Sequence, residues 1–354
     1  MPNRPPRGTH PRPGNFDPDQ PIADVGEWAL IDAILPLTTP LPGTRLAQED
    51  DVAGVPLFDH STGFQIFLKT DTLVQSTDAP PQMTPYQMGA KAVTSCVSDF
   101  GCKGINPTGC VVSFCLPRTL RAGDAVDLAR GVADACARYG CGYYGGDLNE
   151  GLEIVVTPTL VGQADPQKVV GRGGAHPGDL LCVSDHLGRT AVGLEILLQG
   201  ANCPEDARAA LVTAVLAPET PLEQGIAVTE QELATAAMDS SDGIAFSVSQ
   251  LAQMSGVGAE LWAESIPIAP EVAIFAPDPA RQVELALYGG EEYCYVWAIP
   301  ETNLQAVQQL CAEHNWNLFT IGKMTQETSL FLKDAEGQAV PLTKKGFTHF
   351  TGKS

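Results

Sequence analysis

Twice along this chain an apolar run stops at a turn of small residues that carries aspartate, at Tyr144-Gly145-Gly146-Asp147 and at Met238-Asp239-Ser240-Ser241-Asp242-Gly243. Such a turn fixes where an element ends and which group it presents, because glycine and serine permit tight backbone and leave the carboxylate at the margin. Aspartates close comparable runs at Asp50-Asp51, Asp71 and Asp99. Carboxylates placed at element ends, with few lysines or arginines beside them, suit hard divalent cations held around a polyphosphate. The residues therefore point to a magnesium-dependent enzyme that uses a nucleotide.

A chain of 354 residues with 44% hydrophobic content can bury substantial cores, and ordinary domain sizes favour two domains over one. The formal charge is −21, from 42 acidic and 21 basic residues. Such a surface repels nucleic acid phosphates and anionic lipid, so neither is expected as a partner. No run of 18 apolar residues occurs, which argues against a membrane-spanning helix. Residues 1–22 are rich in proline and lack the apolar core of a signal peptide, which predicts a disordered tail. Ten cysteines begin only at Cys96, contain no Cys-x-x-Cys pair and match no zinc spacing. They are expected to be reduced and mostly buried in a cytoplasmic protein.

The pattern predicts a short helix over Glu27 to Leu35 and a strand over Phe64 to Thr70 that delivers Asp71 at its C-terminal end. Thr84, Pro85 and Gln87 form a capping box opening a helix to about Ser98, with Lys91, Ser95 and Asp99 on one face. A strand over Gly109 to Leu116, an amphipathic helix over Ala122 to Tyr139 capped by Gly140, and a strand into Gly145-Gly146-Asp147 come next. A strand over Glu153 to Gly162 completes this half. In the second half the pattern gives a strand from Leu180 to Ser184 and a helix from Arg189 to Gln199. A helix opened by Asp239 to Gly243 runs to Ser255, with Ser241 or Asp242 as its cap and an anion site at its start. Gly289-Gly290-Glu291 repeats the glycine pair followed by an acid at a strand margin, before a strand from Tyr293 to Ile299. Strands and helices alternating in both halves predict an α/β (α+β) architecture, with domains over 23–170 and 171–354.

A P-loop, a Gly-x-Ser-x-Gly elbow and a His-Glu-x-x-His helix are all absent. Any one aspartate at a helix mouth can be an ordinary cap. Asp239 and Asp242, three apart at one helix start, are harder to read so, since their charges repel unless a cation is shared.

In order, the motifs Glu49 to Ala53, Lys69 to Val74, Gly89 to Asp99, Tyr144 to Asp147, Gly174 to Asp179, Asp239 to Gly243, Gly289 to Tyr293 and Lys345 to Phe350 resemble the thiamine-monophosphate kinase family. That family lies in the superfamily of aminoimidazole-ribonucleotide synthetase, selenophosphate synthetase and a hydrogenase-maturation protein. The resemblance implies ATP and Mg²⁺ as cofactors, thiamine monophosphate as acceptor, and a homodimer paired through N-terminal domains. It implies magnesium binding by Asp50, Asp51, Thr70, Asp71, Asp99, Asp147, Asp239 and Asp242, with Asp71, Asp99 and Asp147 the catalytic carboxylates. Gly146, Asp147, Arg172 and Ser241 correspond to ATP contacts, and Glu291 and Phe347 to acceptor contacts. Two residues depart from the bacterial pattern: Asp78 stands where histidine is found, in chain expected to be extended before Pro80-Pro81 and able to reach the acceptor, and Lys69 replaces a small residue beside Thr70-Asp71. The Thr77-Asp78-Ala79-Pro80-Pro81 stretch and Lys103-Gly104 are similar to the archaeal branch. The alternatives are another ATP-using member, selenophosphate-synthetase-like, and a nucleotide-binding regulatory protein without turnover. No cysteine precedes Cys96 and none ends the chain, which sets it apart from the selenophosphate and hydrogenase relatives, and Asp147 replaces the synthetase's glutamate.

Overall fold

A computed structural model describes residues 53–55, 63 and 65–343. The expected tail, the helix over Glu27 to Leu35, Asp50, Asp51 and the motif containing Phe347 lie outside the described residues.

The first half contains strands β1 (Ala53–Val55), β2 (Gln65–Thr70) and β3 (Leu73–Val74), then helices α1 (Gln75–Asp78) and α2 (Pro85–Lys103). Strand β4 (Asn106–Pro117), helix α3 (Ala122–Arg138) and strands β5 (Gly142–Gly151) and β6 (Val155–Ala164) complete it. The strands form one mixed sheet in the order β1-β2-β6-β4-β5, with β3 also on β6. Only β4 and β5 run parallel among these pairs, and helix α3 supplies the crossover that a parallel pair needs. Val155–Ala164 alternates between less and more buried positions along nearly its whole length, as one packed face requires.

The second half begins with β7 (Leu180–Val183), α4 (Arg189–Gln199), α5 (Glu205–Leu216) and α6 (Leu222–Glu230). Then come β8 (Ala236–Asp239), α7 (Ile244–Ser255), β9 (Gly258–Trp262), α8 (Pro270–Phe275) and α9 (Pro279–Tyr288). Strand β10 (Tyr295–Ile299), helix α10 (Leu304–His314) and strands β11 (Phe319–Thr325), β12 (Leu330–Lys333) and β13 (Ala339–Pro341) follow. Their sheet runs β13-β12-β9-β11-β7-β10-β8. The buried strand β10 has apolar residues on both faces: Val296 and Ala298 face one cluster, Tyr295, Trp297 and Ile299 the other.

Helix α2 determines where a site can form. The predicted capping box is present, with Thr84 accepting from Gln87 N and the Gln87 side chain accepting from Thr84 N. The helix continues past Ser98 to Lys103 and ends at Gly104 in the left-handed region, φ 75°. It is buried on two sides. Phe100 and Val97 join the core under the first sheet, and Cys102 joins the core on the second. Gly101 makes that double packing possible, since a Cβ there would fall 1.9 Å from the Tyr295 hydroxyl oxygen. Polar residues on α2 are thus buried between the two halves.

Two expectations change. Gly145-Gly146-Asp147 lies inside β5, and Gly289-Gly290-Glu291 follows helix α9, so neither glycine pair sits at a strand margin. Gly146 answers to packing: a Cβ on it would lie 1.7 Å from Val112 O of the adjacent strand. No helix among the described residues is long and apolar enough to cross a membrane.

Candidate active site

Four segments converge where α2 passes between the sheets: the end of β2, the middle of α2, the turn 239–243 after β8, and the loop 289–293 after α9. Ser98 donates to Asp239 Oδ2 at 2.8 Å, and Lys69 Nζ lies 2.6 Å from Asp99 Oδ2. Lys91 Nζ donates to the Asp78 carbonyl at 2.7 Å and also pairs with Glu291. The loop 289–293 is stitched to the turn by backbone: Glu291 N donates to Ser241 O at 2.6 Å and Tyr293 N to Ser240 O at 3.0 Å. Glu291 and Tyr293 both adopt positive φ, 64° and 48°. Side chains with a Cβ resist that region, so the surrounding hydrogen bonds hold strained backbone here, as is common at functional sites.

The electrostatics are those of charges withheld from water. Burial raises the Asp239 carboxyl above its ordinary range, while the Ser98 hydrogen bond and the positive charges of Lys69, Arg172 and Lys103 oppose it. Burial likewise raises Asp99, Lys69 offsets part of that, and Asp239 and Asp71 add to it. Burial pulls the Lys69 ammonium down, but Asp99 and Asp71 outweigh it and hold the group protonated far above the usual lysine range. Tyr293, itself buried, is pushed up by burial and then by Glu291, Asp71, Asp239 and Asp78, whose carboxylates surround it.

Do these residues fit magnesium? Asp239 Oδ1 is buried with no hydrogen-bond partner. A carboxylate oxygen left bare among other carboxylates fits a hard cation, because buried acceptors otherwise find donors. Among the described residues no three His, Cys, Asp or Glu side chains already form a cage. Magnesium does not need one: it is held by one or two carboxylates together with substrate phosphates and water.

The expected site residues separate into groups. Asp71 and Asp239 act electrostatically on Asp99, and Arg172 on Asp239, while Asp78 and Glu291 meet at Lys91 and act with Asp71 and Asp239 on Tyr293. The Thr70 hydroxyl is engaged in the sheet, donating to Pro158 O at 2.8 Å and accepting from Thr159 at 3.0 Å. Asp78 is the last residue of α1 rather than part of an extended segment, and its carboxylate accepts from Val74 N at 2.7 Å. Ser241 and Asp242 do not cap α7; the cap position is Gly243, φ 101°. Gly146 and Asp147 lie on β5, with Asp147 exposed in register with Ser113, Ser113 with Thr157, and the Thr157 hydroxyl 3.2 Å from that of Thr72. Two strands intervene between β5 and β2, so Asp147 stands about 14 Å from the Asp71 end of the site at ordinary strand spacing.

Sequence reasoning gave no role to Ser98, Lys91, Tyr293 or Glu292, although each lies in or beside a motif. Glu292 is half-buried and accepts from Gly188 N at 2.7 Å, holding the start of α4 against the loop. Its signal was the second of two adjacent glutamates in an otherwise apolar stretch.

The family described as AIR synthase related protein matches this chain in both its parts, the N-terminal domain over residues 49–164 and the C-terminal domain over 176–335. A thiamine-monophosphate kinase of Nitrosopumilus maritimus is 32% identical over 285 residues, covering 80% of this chain and 89% of the relative. The chain belongs to the thiamine-monophosphate kinase family. Another thiamine-monophosphate kinase, from Aquifex aeolicus, is 30% identical over 335 residues, 93% of this chain and 99% of its own. Among solved structures, AaThiL complexed with AMPPCP and TMP superposes with a TM-score of 0.80 at 28% identity, covering 94% of this family member and 100% of that chain. Hydrogenase maturation protein HypE in complex with ATP shares the fold at a TM-score of 0.64 and 17% identity.

Proposed function

We propose that this protein transfers the γ-phosphoryl group of ATP to the phosphate of thiamine monophosphate, giving thiamine diphosphate and ADP. The observation that carries the reading is its likeness, over 94% of its length, to a relative solved with AMPPCP and TMP together. AMPPCP is an ATP analogue whose terminal phosphoryl group cannot be transferred, so the relative's pair of ligands corresponds to donor and acceptor.

The residue inventory suits this chemistry. A phosphate monoester has a second pKa of about 6 and is largely ionised at neutral pH, so the attacking oxygen needs no general base. The obstacle is repulsion between two anions approaching in line. Magnesium, when bound, supplies the charge that offsets this repulsion. Asp71 and Asp239 are the residues best suited to hold it, with Asp50, Asp51, Thr70, Asp99, Asp147 and Asp242 as the family pattern assigns them. Arg172, which acts on Asp239, would complement phosphate charge, and Gly146, Asp147 and Ser241 would contact ATP. Glu291, Phe347 and Asp78 would face the acceptor, where a carboxylate suits the cationic thiazolium. Lys91 keeps Glu291 and the Asp78 segment together, and Tyr293 fills the space between the carboxylates and excludes water.

We further place the protein in the cytoplasm as a homodimer. Ten free cysteines support a reducing compartment. The edge strand β5 exposes Tyr144 and Leu148, 75% and 74% accessible, which supports pairing through the first sheet. The test of function is acceptor selectivity: purified protein with MgATP should phosphorylate thiamine monophosphate and leave thiamine almost untouched, since thiamine's hydroxyl requires a base. Equal turnover of thiamine would overturn the assignment.

A further inference from the structure

Lys69 is the outlier of the site. Thr70 and Asp71 at the end of β2 and Ser98 and Asp99 on the facing stretch of α2 offer oxygen atoms, yet here a lysine projects its own cation among the carboxylates. Its ammonium nitrogen is 2.6 Å from Asp99 Oδ2, and the two side chains are only 16% and 8% accessible. Asp71 acts on the same ammonium. One residue before Asp99, Ser98 holds Asp239, whose Oδ1 is buried without a partner. The acidic cluster thus has two unlike ends: at Asp99 a protein cation is already in contact, and at Asp239 a carboxylate oxygen is bare.

We propose that the Lys69 ammonium takes the place of one divalent ion in this chain, so that Asp99, unlike the family assignment given above, is neutralised by the protein, and in this cluster metal loads toward Asp71 and Asp239 instead. This rests on the phosphoryl-transfer reading above and concerns how the same site is charged. A magnesium ion binds carboxylate oxygen at about 2.0–2.1 Å. An ammonium already in contact with Asp99 Oδ2 blocks that approach sterically and repels a second cation. The lysine carries one positive charge where the ion would carry two, and it is tethered to a strand of the sheet, so it is present whatever the magnesium concentration.

The experiment counts bound metal rather than turnover. The full chain is titrated with Mn²⁺ in the presence of AMPPCP and thiamine monophosphate, and free ion is read by electron paramagnetic resonance. Lys69→Met removes the charge while keeping the length of the side chain, and Lys69→Arg keeps the charge. Lys69→Met should bind one more Mn²⁺ per chain than the parent, and Lys69→Arg the same number. An unchanged or lower count in folded Lys69→Met overturns the proposal. Should Lys69→Met not fold, Asp99→Asn in the presence of Lys69 decides: an unchanged count and affinity supports the lysine as Asp99's cation, and loss of one ion or a tenfold weaker affinity overturns it. A parent chain that binds no Mn²⁺ beyond that held by free AMPPCP would instead refute the phosphoryl-transfer reading itself, and this proposal with it.

Discussion

Ser98 and Asp239 are 141 positions apart in sequence, and the Ser98 hydroxyl donates to Asp239 Oδ2 at 2.8 Å. The bond joins helix α2 of the first half to strand β8 of the second, and both residues are buried. A charge-bearing group is thereby fixed in position by the domain to which it does not belong, so the site exists only when the two halves are packed together.

Ser98→Ala removes the donor and leaves both oxygens of a buried carboxylate unsatisfied. The expected cost is about 1–3 kcal/mol of stability, measured by urea unfolding of variant and parent. A change below about 0.5 kcal/mol would show that Asp239 finds another donor in place of Ser98.

Lys91→Met cuts the link between the Asp78 carbonyl and Glu291 while preserving the aliphatic stem. Both partners stand on the acceptor side of the proposed site. KM for thiamine monophosphate should rise roughly tenfold, equivalent to about 1.4 kcal/mol, with KM for ATP little changed. A parallel rise in both constants would assign Lys91 to general packing.

Glu292 gives a pH signature. Burial raises its carboxyl from 4.5 to about 7, against the hydrogen bonds from Thr190 and Gly188 that favour ionisation. Between those two values the unfolded chain loses this proton while the folded chain keeps it, so the stability contributed by the neutral form is complete below pH 4.5 and lost as pH rises through 7. The loss is on the order of 3 kcal/mol. Glu292→Gln does not titrate, so the stability difference between parent and variant should shift against the parent across that window and stay flat outside it. Denaturation curves collected every half pH unit check this, and a flat difference throughout would refute a neutral Glu292 in the folded chain.

Much of this was legible in sequence because it is local. The capping box at Thr84, the helix Arg189–Gln199 and the strand delivering Asp71 depend on spacing over a few residues, and each is found as expected. The errors came where distant packing decides. Gly145-Gly146 suggests a turn at a strand margin, yet Gly146 lies inside β5 with Val112 O 1.7 Å from where its Cβ would stand. Asp78 precedes a proline pair and suggests extended chain, yet its carboxylate closes a single helical turn on Val74 N. Lys91, Ser95 and Asp99 lie along one helix face, but no helical period reveals that Lys91 reaches Glu291, 200 positions away. Contacts of that kind come from two sheets clasping one helix.

Asp71→Asn and Asp239→Asn test the metal-holding role from two different elements. Each should lower kcat at least about a hundredfold with the fold retained in thermal melts. If these carboxylates serve only packing, the variants would instead melt early and turn over normally when folded.

Direct passage of one phosphoryl group between two bound substrates is tested by following that group. With ATP labelled in the γ-phosphate, rapid quenching of the purified chain with Mg²⁺ and thiamine monophosphate should place the label in the terminal phosphate of thiamine diphosphate, with none attached to protein. Label recovered on the protein, or released as inorganic phosphate without thiamine diphosphate, would contradict it.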